Sequence, residues 1–158
     1  MRSLRIAGLL VVALIAAGLA SSCGSSQSST SSSPPTPGGG KITVQSTETL
    51  SAQDVTNGGV AGTGHFTISG AIADAGPETD YRTVKGTKVL IRRVVVGKKG
   101  TITFLITLYT TAPSTALGRW TITSATGSYK GLHGSGEQTV DNYNSSPATF
   151  ALAGTVAR

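Results

Sequence analysis

The sequence predicts an all-β domain standing behind a processed leader and a linker, and three observations carry that expectation. Of 158 residues, 21 are Gly, 19 Ser and 23 Thr, a mixture poor in helix formers and rich in turn and strand formers. Apolar residues recur with a period of two in five segments downstream of Lys41, and no stretch there sustains a period of 3.6. Turn signals separate those segments. The length accommodates one domain. A single Cys excludes a disulfide framework, and two His with one Cys cannot build a zinc site of the usual kind. Neither a metal nor a cofactor is expected.

Residues 1–22 have the character of a signal peptide. Arg2 and Arg5 form a positive start, and Ile6 to Ala20 then runs fifteen residues without a charge. As a helix this run measures about 22 Å, short of the roughly 30 Å hydrocarbon core of a bilayer. The following Ala20-Ser21-Ser22-Cys23 resembles a bacterial lipobox. That resemblance implies a diacylglycerol on Cys23, which becomes the first residue of the mature chain. The motif departs from the pattern in one place: Leu is preferred three residues before the Cys, whereas Ala20 stands there and Leu19 one earlier. The alternative is ordinary cleavage after the small residues Gly18 and Ala20, leaving Cys23 as a thiol. Lipidation implies an extracytoplasmic protein whose first partner is a cell membrane, since several acyl chains hold firmly where one is marginal.

Residues 23–40 continue as the lipidated Cys and a tether. From Gly24 to Gly40 there are seven Ser, two Thr, three Pro, four Gly and Gln27, with no charge and no large apolar group. Such a segment cannot bury enough surface to offset its ordering entropy. Its expected reach is on the order of 20–25 Å. Removing Arg2 and Arg5 leaves eleven basic residues against seven acids, so the net charge falls from +6 to +4.

The domain proper spans 41–158. Ile102, Phe104, Ile106 and Leu108 alternate with polar positions; so do Trp120 and Ile122, then Phe150, Leu152 and Val156. Earlier in the chain Ile42 and Val44, then Phe66, Ile68 and Ile72, do the same. Each strand therefore offers one apolar face. Asn57-Gly58-Gly59, Asp74-Ala75-Gly76-Pro77 and Gly97-Lys98-Lys99-Gly100 read as turns, with Thr111 to Gly118 and Asn142 to Pro147 as loops. Seven or eight strands in this length suit a small barrel or a sandwich, and periodicity does not choose between them.

A resemblance does. Trp120-Thr121-Ile122, followed by Ala125-Thr126-Gly127-Ser128-Tyr129-Lys130-Gly131-Leu132-His133-Gly134-Ser135-Gly136, resembles a strand–turn–strand of the allene oxide cyclase-like barrels, and related dirigent-like barrels share its outline. Gly64 to Gly70 resembles an early strand of the same group. The resemblance covers about a third of the domain and implies a small antiparallel eight-stranded barrel with a central cavity. Its chemical residues do not map onto this chain, so no activity is carried over. The motif itself reads as structural: Gly127 and Gly131 suit positive φ, Tyr129 and Leu132 can plug a barrel end, and Gly134 and Gly136 permit bending or close approach.

From Arg82 to Lys99 there are seven basic residues and no acid. A hairpin about Gly97 to Gly100 pairs Arg93 with Phe104 and puts Val89, Ile91, Arg93 and Val95 on the apolar face. Lys88, Arg92, Lys98 and Lys99 then lie outside or at the tip. An inward Arg93 is costly unless partnered. It is the candidate for binding the acidic head of an apolar ligand, with Phe104 and Trp120 as the apolar lining. The competing reading pairs it with Glu48 or Glu137, or lets it snorkel from the barrel mouth. A three-residue loop would turn it outward. The outer cations could contact anionic lipid, or form an ordinary solvated face.

No catalytic residue is identified. His65 and His133 have no fixed partner in the sequence, the Gly131 to Gly136 run lacks the ending of a phosphate loop, and no G-x-S-x-G elbow occurs. Aromatic residues are too few to stack bases, so nucleic acid is not an expected partner. The leading expectation is a membrane-anchored barrel that binds an apolar or amphipathic small molecule. The alternatives are a cofactor-free isomerase or cyclase, and an interaction lipoprotein whose barrel is filled by its own side chains.

Overall fold

The alternating segments join into one antiparallel sheet that closes on itself. The strands are β1 (Gly40–Leu50), β2 (Asn57–Gly70), β3 (Asp74–Lys85), β4 (Lys88–Gly97), β5 (Gly100–Ala112), β6 (Thr115–Ala125), β7 (His133–Asp141) and β8 (Ala148–Ala157). Each pairs with its successor, and β8 returns to β1. The fold is thus a closed eight-stranded barrel, and closure removes the exposed strand edges that an open sheet would leave. This computed structural model describes residues 39–51, 56–112, 115–141 and 146–158. The leader, Cys23 and nearly all of the tether lie outside the described residues. No helix among the described residues is long and apolar enough to cross a membrane.

Two segments expected as turns belong to strands. Asn57 to Gly59 opens β2, where the register with β3 shifts, so these glycines bend a strand instead of ending it. Asp74 to Pro77 opens β3, and the reversal occurs earlier, at 71–73. Gly76 is needed there because a Cβ would collide with the Val96 carbonyl. Asp74 serves a separate end: its carboxylate accepts from the backbone N–H groups of Lys98 and Lys99 at 3.2 and 3.1 Å. The connection expected over Thr111 to Gly118 is shorter, because β5 runs to Ala112 and β6 starts at Thr115.

One apolar cluster runs through most of the interior, from Ile42 and Val44 on β1 to Leu152 and Val156 on β8. A second, smaller cluster of Val140, Ala148 and Phe150, with Leu50 against it, is separate. Trp120 is seated edge-on to Phe104, ring centroids 5.4 Å apart. Its indole N–H donates to the Glu137 and Ala153 carbonyls at 3.1 and 3.3 Å. The ring has room because Gly154 lies beneath it: a Cβ there would stand 2.5 Å from the indole.

The end of the barrel at the β6–β7 connection is plugged. Residues Gly127–Tyr129 form a 3₁₀ turn, with Gly127 at φ 59° and Gly131 at φ 84°, conformations natural only to glycine. Tyr129 and Leu132 are buried against the main core. The Tyr129 hydroxyl donates to Asp74 at 2.7 Å, so one carboxylate ties this turn to β3 and to the β4–β5 hairpin.

Candidate functional site

The hairpin between β4 and β5 has a two-residue tip, Lys98-Lys99, with Gly97 opposite Gly100. That register sets Arg93 opposite Phe104 and turns it inward, where it is fully buried. Four other buried polar side chains meet it, Ser46 and Glu48 from β1 and Glu78 and Asp80 from β3. The site is a charged cluster inside an otherwise apolar barrel.

Its geometry is specific. Asp80 is the cross-strand neighbour of Arg93 and takes the guanidinium in a fork, from Nε at 2.9 Å and from the terminal nitrogen at 2.7 Å. That bidentate arrangement is the strongest an arginine makes. The same terminal nitrogen also donates to Glu48. The other one donates to the Ser46 hydroxyl at 3.3 Å, which itself donates to Glu78 at 2.7 Å. The Arg93 guanidinium carbon lies 4.7 Å above the Phe150 ring, adding a cation–π contact. Every guanidinium nitrogen is therefore engaged within the barrel.

Room for this cluster comes from β2. Its inward positions 62 and 64 are both glycine, and Gly64 lies between Glu48 and Glu78 in the register. A Cβ on Gly62 would stand 2.6 Å from Glu48 Oε2. Two missing side chains make the space that four ionisable side chains occupy.

Charge decides the protonation. Three acids face one arginine, and full ionisation would leave excess negative charge in a low-dielectric interior. Burial is the largest influence on Glu48; Arg93 opposes it, while Asp80 and Glu78 reinforce it, and the carboxyl is pushed up to about 9. Glu78 is also raised, first by burial and against the pull of Arg93 and Ser46. Burial disfavours the Arg93 charge, but Asp80, then Glu48 and Glu78, more than offset this and raise its pKa. At neutral pH Glu48 is therefore a neutral acid. Glu48 Oε2, Glu78 Oε1 and Gln138 Oε1 have no hydrogen-bond partner among the described residues. Protonation of Glu48 supplies a donor where ionised carboxylates would offer only acceptors.

The residues singled out from sequence divide between two places. Arg93, Phe104 and Trp120 are all interior, but the interior around them is packed. Phe104 is 0 % and Trp120 1 % accessible to a water-sized sphere, and a lumen open to a ligand would leave such lining exposed. Glu48, one suggested partner of Arg93, does meet it. Glu137, the other, faces out and pairs with exposed Arg119 at 3.2 Å. Glu78 and Asp80 were missed, because β3 has almost no apolar alternation to reveal its phase. Gly127, Tyr129, Gly131, Gly134 and Gly136 lie at the plugged end and along β7. A Cβ at Gly134 or Gly136 would run into the backbone of β8. His65 is exposed, and His133 Nδ1 lies 3.2 Å from the Gly131 carbonyl. Cys23 lies outside the described residues.

Surface grooves on the barrel wall include one of about 410 Å³ beside His133, Ser135 and Thr155 and two others. One, of about 570 Å³, crosses the outer faces of β1 to β3 beside Thr47, Thr63, His65 and Thr79. The other, of about 330 Å³, crosses β2 to β5 between Gly58, Tyr81, Lys85, Leu90, Arg92 and Leu105. Comparison with known proteins returns no matching family model, no matching curated protein and no matching solved structure.

Proposed function

We propose that this protein is a lipid-anchored, extracytoplasmic lipoprotein whose allene oxide cyclase-like barrel acts through its outer wall, as an interaction module. The observation that carries the reading is the filled interior: Arg93 is saturated by Asp80, Glu48 and Ser46, and the apolar lining around it is packed. An acidic ligand would have to displace Asp80 from a bidentate, fully desolvated contact, and breaking such a pair costs about 3–5 kcal/mol. A filled interior makes a rigid platform. The Ala20 to Cys23 motif and the Ser, Pro and Gly run after it support the anchor and tether.

Two measurements test this. In cells fed a labelled fatty acid, the wild-type protein should take up the label and Cys23→Ala should not. A wild type that takes up no label, or a variant that takes it up equally, rejects the anchor. Native mass spectrometry of the gently purified protein should show the polypeptide with its covalent lipid and no further mass. A co-purifying amphiphile that is lost in Arg93→Met would return the function to the lumen.

A further inference from the structure

Folding divides the charged residues unequally. Glu48, Glu78 and Asp80, three of the seven acids, are buried, whereas Arg93 alone is buried among the described bases. The barrel thus withdraws negative charge from its own surface and leaves the outside more cationic than the composition suggests. The effect is greatest on the wall formed by β3, β4 and β5. Outward positions there include Lys85, Lys88 and Arg92, and none of the described ones is an acid. These three cations make no ion pair among the described residues.

The same wall is apolar where a solvated face would be polar. The register aligns Val60, Tyr81, Arg92 and Leu105 in one row across β2 to β5. Val60 is 44 % and Leu105 38 % exposed, whereas Tyr109 further along β5 turns its hydroxyl to exposed Glu137 and lies outside this row. Arg92 lies flat over the Tyr81 ring, 3.9 Å from its centroid. Stacking restrains the guanidinium while leaving its N–H edges free for oxygen acceptors.

We propose that this wall docks the barrel onto an anionic lipid bilayer, with Lys85, Lys88 and Arg92 taking headgroup phosphates and Val60 and Leu105 entering the interface. The inference rests on the anchored reading, since a tether holds the wall near the surface at high effective concentration. A soluble acidic polymer would satisfy the cations but leave the exposed aliphatic row unexplained; a bilayer interface accommodates both, and Tyr and Arg suit that depth.

The test uses the mature chain, residues 23–158 with Cys23→Ala, so that neither the apolar leader nor a lipid contributes, with phosphatidylglycerol or phosphatidylcholine vesicles. The protein should partition onto the anionic vesicles preferentially. Replacing Lys85, Lys88 and Arg92 together by Gln should lower that partition on the order of a hundredfold, at about fivefold per charge. Leu105→Ser should weaken it further, and buried Trp120 emission reports that each variant is folded. Equal partition onto the two vesicle types, or anionic binding unchanged in the triple variant, overturns the proposal. So does triple-dependent binding to soluble polyphosphate without vesicle binding, which would assign the wall to an acidic polymer. An anchored protein whose wall ignores vesicles would sink this inference alone, because Cys23 modification is read separately.

Discussion

Glu48→Gln should change how stability depends on pH more than it changes stability itself. In the native barrel the Glu48 carboxyl holds its proton up to about pH 9, against an ordinary value of 4.5. The sign follows from proton counting. Between those values the native state keeps a proton that the unfolded chain has released, so stability is greatest below about 4.5 and is lost as pH rises towards 9. One proton of difference corresponds to about 1.4 kcal/mol per pH unit. Across two pH units near neutrality the wild type should therefore lose about 3 kcal/mol, a large share of a small domain's stability. Glu78, raised for the same reason, adds in the same direction. Gln is close to the shape of the neutral acid and cannot titrate, so the variant should show a slope shallower by about one proton. Urea denaturation followed by Trp120 emission, at several pH values between about 5.5 and 8, measures both slopes. Equal slopes in variant and wild type would refute the protonated Glu48, and a wild type that gains stability with pH across this window would refute the whole charge argument.

Other perturbations probe neighbouring parts of the argument. Arg93→Met leaves Asp80 buried without its bidentate partner and should cost about 3–5 kcal/mol by denaturation; a loss under about 1 kcal/mol would mean that the cluster is hydrated. Asp74 sits at about 2, lowered chiefly by the Tyr129 hydroxyl and then by the Lys99, Ala75 and Lys98 amides despite some desolvation. Its contribution is present above about 3.8 and lost as pH falls through about 2. Asp74→Asn should therefore flatten the acid limb of the stability curve and leave the alkaline limb alone. Gly154→Ala places a methyl 2.5 Å from the Trp120 ring, and should destabilise by about 1–3 kcal/mol with a change in Trp emission. An unchanged spectrum would show that the ring does not depend on that glycine.

Hydrophobic alternation is legible wherever a strand faces the core with apolar residues, which is why β5 and β8 and the inward phase of β4 could be read directly. It fails where the inside is charged. On β3 the inward positions include Glu78 and Asp80, and a period-two reading sees only polar residues there. The same blindness applies to β7, whose inward Gly134, Gly136 and Gln138 carry no apolar signal, so Glu137 could not be assigned to the outside beforehand. Parity counted back from Val84 through Arg82 reaches Asp80 and Glu78, but a single valine is too little apolar signal to set the phase of β3.

The sequence alone determined the all-β class and the phase of the apolar strands, while the two-residue tip at Lys98-Lys99, seen in the structure, chose the inward direction of Arg93 over the outward one a three-residue loop would give. These are local properties, set by alternation and turn length over a few residues. Only the tertiary structure decided what Arg93 meets. Its partners come from β1 and β3, tens of residues away, and they converge because closure of the sheet brings those strands together over the gap left by Gly62 and Gly64. Closure also decided that three acids leave the surface, and with that how cationic the outer wall becomes. No local pattern records either outcome, since each depends on which strands share an interior.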